Sequence, residues 1–183
     1  FATLQDVSRF AIGSDGRCRY FQNVMGTVSS RHAAGLNPFS LKKWTRCLIK
    51  PEPGRAVVSA DWSSQEIGIA GYLSGDENMK ACFDAAIEGK DVYMKFAELS
   101  GLVPVGAERK DYELLRSRAK VCFLSANYGA GPYSISDKLG ISYGEAKRLL
   151  RLYDETFSRY IAWGHEVLNY AYQFGEIQTK YGW

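Results

Sequence analysis

The chain has 183 residues, 46% of them hydrophobic and 23% charged, within the range of ordinary globular proteins and enough for one good core or parts of two subdomains. A net charge of +3 is mild, so any nucleic-acid footprint must be local. Four scattered cysteines, no C-x-x-C and only two histidines exclude a structural zinc site, and no apolar run reaches the roughly 18 residues that cross a bilayer.

Residues 1–55 are punctuated by glycine and proline and read as irregular, with short strand-like pieces at 19–23 and 45–49. Arg17, Arg19, Arg31, Lys42, Lys43, Arg46 and Lys50 make this part basic. Two readings stay open for these cations: solvated loops, or a phosphate-facing surface. After Pro53-Gly54, the run Ala56-Val57-Val58-Ser59-Ala60 reads as a buried strand with Asp61 at its end.

From Ser64 the spacing of Ile67, Ala70, Gly71 and Ser74 predicts a helix. Asp76 and Asp91 are expected to cap helices running to about residues 88 and 99. A loop carrying Pro104 separates these from a long helix over 107–126, ended by Gly129, Gly131 and Pro132, and a short helix follows at 134–139. Ser142 and Glu145 form a capping box. It opens a helix whose stripe Leu149, Tyr153, Phe157 and Ile161 is core. The helical pattern continues past an expected kink near Gly164 to Phe174, and Ile177-Gln178-Thr179-Lys180 reads as strand.

Two segments carry chemistry. Asp61-Trp62-Ser63-Ser64-Gln65-Glu66 puts a carboxylate at a strand end and another in the first turn of the next helix. Mg²⁺ takes hard oxygen ligands and often only one or two carboxylates, a demand Asp61 meets, although a helix N-cap is the competing reading. Arg116, Lys120, Leu124 and Tyr128 stand four apart, so on a helix they share one broad face, drifting about 40° per step. Such a face can grip a triphosphate and stack on a base, or can be a solvated cationic stripe. Gly129 beside Tyr128 leaves room for a base or a backbone to approach.

These segments resemble the family A DNA polymerases, phage-like members in particular, over residues 26–183. Asp61, Ser63 and Glu66 are similar to the family's motif A; Arg116, Lys120, Tyr128 and Gly129 are similar to its motif B. Gly89-Lys90-Asp91 resembles a turn between them, Gly26-Thr27-Val28-Ser29-Ser30-Arg31 the template-primer segment, and the tail 179–183 a strand after the long helices.

The resemblance implies an α+β fold, part of a polymerase right hand: palm strand plus helical fingers. Residues 1–75 would be palm, 76–163 fingers and 164–183 a helix and strand returning to the palm. It implies DNA-templated DNA synthesis with primer-template DNA and dNTP as partners. Asp61 and the Trp62 carbonyl would bind two Mg²⁺ ions. Asp61 and Lys120 would be catalytic. Arg116, Lys120, Leu124, Tyr93, Tyr128 and Glu66 would contact the dNTP, with Glu66 walling off the 2′ position. Ser29, Ser30, Arg31, Tyr128 and Gly129 would contact DNA. Thr27, Tyr93, Leu124 and Gly68 depart from family residues (arginine, histidine, an aromatic and arginine).

The chain reads as an internal fragment, lacking the family's second metal-binding Asp in a later His-Asp-Glu segment. The fragment is therefore expected not to polymerise without the rest of the polymerase, and to be cytoplasmic. A single-subunit RNA polymerase, a non-catalytic nucleic-acid-binding module and a helical interaction domain are the rival readings. A small residue in place of Glu66 would mark the first.

Overall fold

The computed structural model describes residues 8–27, 31–35, 42–58, 60–179 and 182. It divides into two units, 1–60 and 61–183.

The first unit is held by turns and short pairings. Strand β1 (Gln22–Asn23) pairs antiparallel with β2 (Ala33–Ala34), Gln22 opposite Ala34. A bridge joins Ile12 to Cys18 around the turn at Gly16, whose φ of 75° suits a residue without Cβ. Asp15 takes both guanidinium nitrogens of Arg19, and Arg17 pairs with Glu52. These two arginines therefore meet carboxylates of their own unit. The strand expected at 45–49 is instead a 3₁₀ helix, Lys43–Leu48. Thr45 is fully buried in it and both its N–H and its hydroxyl donate to the Lys42 carbonyl, a local bond that turns the backbone away from extension.

The strand expected at 56–60 does not form among the described residues, and Val57 and Val58 are exposed. A strand needs a neighbour for its N–H and C=O groups, and no described segment pairs with this one. Residues 176–179 are likewise not strand, while Lys180, Tyr181 and Trp183 lie outside the described residues.

The second unit is helical: α1 (Gln65–Ser74), α2 (Glu77–Ile87), α3 (Val92–Leu99), α4 (Glu113–Asn127), α5 (Pro132–Leu139), α6 (Tyr143–Thr156) and α7 (Ser158–Phe174). Helix α1 packs on α2 and α7; α4 packs on α3, α5 and α6. The α1–α2 approach is close because it is lined by glycine. A Cβ on Gly68 would lie 2.8 Å from the Phe83 ring, and one on Gly71 2.9 Å from the Lys80 backbone nitrogen. The core is an aromatic cluster: Phe96, Phe123, Tyr153 and Phe157, with ring centroids 5.0–5.9 Å apart. Each such pair contributes about 0.5–1.5 kcal/mol beyond area burial. The Tyr153 hydroxyl, buried, donates to Asn127 Oδ1 at 2.6 Å.

Asp76 and Asp91 cap α2 and α3, and the Ser142–Glu145 capping box opens α6, all as expected. Two boundaries differ. The helix expected from 107 starts at Glu113, after a 3₁₀ turn Arg109–Asp111 and a break at Tyr112. The break expected near Gly164 falls at Phe157. Its cause is non-local: buried Asp76 accepts from Met79 N with one oxygen and from Tyr160 N with the other, 84 residues away. Asn78 also donates to the Thr156 carbonyl at 2.8 Å. One carboxylate thus starts two helices. Helix α1, which the sequence places with residues 1–75, packs within the helical unit.

Candidate nucleotide site

Residues 61–64 form a turn into α1. Ser64, its N-cap, has φ 51° and makes no side-chain cap bond. A non-glycine residue in the left-handed region is uncommon and marks a segment constrained by its surroundings. Asp61 is not the cap of α1; its carboxylate has no hydrogen bond or ion pair among the described residues and is exposed, as is Trp62. The capping alternative for Asp61 is therefore not realised.

Glu66 sits in the first turn of α1, where the helix N-terminus favours an acid. Its carboxylate accepts the Tyr128 hydroxyl at 2.9 Å and 2.8 Å, one contact to each oxygen. Tyr128 is the C-cap of α4 and remains largely exposed; Gly129 follows with φ 72°, a conformation its missing Cβ permits. The two signature segments, 62 residues apart at this bond, therefore meet directly.

The other end of α4 is organised by Asp91. Its Oδ1 accepts from Tyr93 N and Met94 N, starting α3, while its Oδ2 accepts Arg116 Nε at 2.9 Å and lies 3.7 Å from Arg109. The Arg116 guanidinium is 5.1 Å from the centre of the Tyr93 ring and the Lys120 ammonium 5.7 Å from it. Tyr93 thus serves as a platform for both cations. Burial pushes the Tyr93 hydroxyl pKa up, partly offset by the nearby Arg116 charge. Arg116 is mostly buried against its partner, whereas Lys120 is exposed and meets no carboxylate among the described residues. Leu124 is half-buried on the same helix between Lys120 and Tyr128.

Of the predicted DNA contacts, Ser29 and Ser30 lie outside the described residues. Arg31 closes a small loop in the first unit: its N–H donates to Thr27 Oγ1 at 2.8 Å. Neither the Glu66–Tyr128 bond nor the double role of Asp91 is foreseen from the sequence. Only the Gly-Lys-Asp turn hints at the latter. Gly68, standing where the family pattern has arginine, has a packing reason: the Phe83 ring occupies the space that a side chain would need.

A family model for DNA polymerase family A matches residues 25–182. The chain is 33% identical over 132 residues to the thermostable DNA polymerase I of Thermus filiformis, covering 72% of this chain and 15% of that protein. It is 26% identical over 174 residues to the DNA polymerase of Mycobacterium phage D29, covering 92% of this chain and 27% of that protein. In fold it is similar to the POL domain of Pol1 from M. smegmatis, solved with DNA primer-template and dNTP. The TM-score is 0.71 at 24% identity, over 99% of this chain and 32% of that one. The chain thus spans less than a third of each of these relatives.

Proposed function

The chain belongs to DNA polymerase family A, and on that basis we propose that it is the nucleotide-handling part of an enzyme for DNA-templated DNA synthesis. Residues 76–163 are then fingers, with 1–75 and 164–183 the adjoining palm and return segments. Lys120 binds the dNTP triphosphate. Arg116 joins it by exchanging Asp91 for phosphate, a swap between two anionic partners at little desolvation cost. Tyr128 stacks at the insertion site and Glu66 excludes a 2′-hydroxyl. The observation that carries this reading is the Glu66–Tyr128 hydrogen bond, because it makes one wall from the two segments that must converge on a nucleotide.

Asp61, unengaged and exposed, and the Trp62 carbonyl offer the hard oxygen donors a divalent cation such as Mg²⁺ takes. Bound there, such a cation would polarise phosphate oxygens. A two-metal clamp needs further carboxylate, and no group of three His, Cys, Asp or Glu side chains converges among the described residues. No step is therefore assigned to the metals. No described helix is long and apolar enough to cross a membrane.

Calorimetric titration of the chain with Mg²⁺·dNTP and Mg²⁺·rNTP tests the proposal. The dNTP is expected to bind more tightly. Glu66→Ala should level the two, and Lys120→Ala should weaken both by about tenfold, the effect of deleting one charge-assisted hydrogen bond. Equal affinity for rNTP in the unmodified chain, or indifference to Lys120→Ala, would remove the assignment.

A further inference from the structure

The end of α4 is closed twice, once by its own backbone and once by side chains from neighbouring helices. Gly129 N–H donates to the Ala126 carbonyl at 2.8 Å, and Ala130 N–H to the Ser125 carbonyl at 2.9 Å. This pattern ends a helix on a left-handed glycine and satisfies carbonyls that would otherwise lack partners. Ser125, 5% exposed, accepts Lys138 Nζ from α5 at 3.1 Å. Asn127, half-buried, accepts the Tyr153 hydroxyl from α6 at 2.6 Å. The next residue, Tyr128, is 68% exposed.

Tyr153 is a rigid post. Its ring is 1% exposed and packs edge-on against Phe96, Phe123 and Phe157. Burial pushes its hydroxyl pKa up, so the group stays protonated and donates. A buried hydroxyl without an acceptor carries a desolvation penalty, which the Asn127 oxygen relieves. Asn127 is thereby pinned to the rim of the core. Successive residues at a helix end point about 100° apart, so holding Asn127 inward fixes where Tyr128 points. Most of the Tyr128 surface is open to solvent and its bond to Glu66 is exposed. Neither burial nor that bond is strong enough to hold the ring if the turn beneath it shifts.

We propose that Tyr153 and Asn127 are positioning residues: their bond sets the direction of Tyr128 and, through it, how closely the Glu66–Tyr128 wall excludes a 2′-hydroxyl. The second half rests on the dNTP reading of that wall; the first half does not. Tyr153 reads from the sequence as part of a core stripe, and Asn127 lies between signature positions, so spacing alone assigns neither.

Two readouts separate position from discrimination. For position, the chain is labelled with meta-fluorotyrosine, and the Tyr128 signal in fluorine NMR is assigned by its loss in Tyr128→Phe. Glu66→Ala gives the signal of the released ring. Tyr153→Phe keeps the core ring and deletes the donor, whereas Asn127→Ala deletes the acceptor. Both should move the Tyr128 signal toward the released position with no nucleotide present. Asn127→Asp keeps an acceptor oxygen and should leave the signal in place.

For discrimination, calorimetric titration gives the ratio of Mg²⁺·dNTP to Mg²⁺·rNTP affinity. Tyr153→Phe and Asn127→Ala should each lower that ratio by about fivefold, the worth of one neutral hydrogen bond. Together they should lower it no further, because they break the same bond. Asn127→Asp should retain the ratio. Thermal melts show that each variant is folded; a merely structural role would lower the melting temperature and leave the ratio alone.

A Tyr128 signal that stays in place in folded Tyr153→Phe and Asn127→Ala would overturn the positioning. A signal that moves while the ratio holds, in a chain that prefers dNTP, would overturn the link to discrimination. A loss that Asn127→Asp does not recover would point to packing rather than this bond and would also overturn the proposal. No dNTP preference in the unmodified chain would instead remove the nucleotide reading of the wall. The fluorine signal would then still decide whether Tyr153 and Asn127 position Tyr128.

Discussion

At the scale of single residues, carboxylates decide the site. Asp91 starts α3 with one oxygen and holds Arg116 with the other. Asp91→Ala removes a cap, worth about 1 kcal/mol, and leaves a mostly buried guanidinium unpaired. Urea denaturation should show a total loss of about 2–3 kcal/mol. Tyr128→Phe keeps the ring but deletes the donor to Glu66. In a double-mutant cycle with Glu66→Gln, the coupling should be about 1 kcal/mol, modest because the pair is exposed.

The thiols give a residue-scale test of the core. Burial pushes Cys82 and Cys122 up to about 12 from an ordinary 9.0, while Cys18 and Cys47 are exposed. At pH 8, iodoacetamide should modify Cys18 and Cys47 and spare the buried pair until the chain unfolds. The sign for stability follows from the raised native values: the contribution is complete below about pH 9 and is lost as the pH climbs toward 12, because the unfolded chain gives up those protons first.

At the scale of elements, glycine and long-range capping set the packing. Gly71→Ala forces a Cβ to within 2.9 Å of the α2 backbone and should cost about 1–3 kcal/mol. Gly164→Ala meets nothing within 4 Å inside α7 and should stabilise by up to about 1 kcal/mol. Thermal melts of the two should therefore move in opposite directions. Asp76 needs both oxygens, one for each helix it starts. Asp76→Asn keeps one acceptor and turns an amide N–H toward a backbone N–H, so it should destabilise nearly as much as Asp76→Ala.

The helices whose signals are local were legible in the sequence: Asp76 before α2, Asp91 before α3, the Ser142 box before α6 and Gly175 after α7. The break at Phe157 was not, because Asp76 lies 84 residues from the N–H it caps. The run 56–60 had the composition of a strand, yet composition does not supply a pairing partner, and none is present among the described residues. Around the candidate site, the spacing of Arg116, Lys120 and Leu124 gave one helix ending at Tyr128, as the structure has it. Which side chains bond to which was not legible: Glu66 with Tyr128, and Arg116 with Asp91, are contacts that only the packing of α1, α3 and α4 creates.

For the molecule as a whole, one aromatic cluster from α3, α4, α6 and the Phe157 break anchors the helical unit. On that frame α4 projects Lys120 and Tyr128, and α1 brings Glu66 to meet the latter. For the proposed function, residues 61–66 and 120–128 must surround one nucleotide. Paramagnetic relaxation from Mn²⁺·dNTP, read on the backbone amides by NMR, asks this directly. Both stretches should broaden together at the same nucleotide concentration, and less with Mn²⁺·rNTP. Broadening confined to one stretch, or strongest elsewhere in the helical unit, would contradict it.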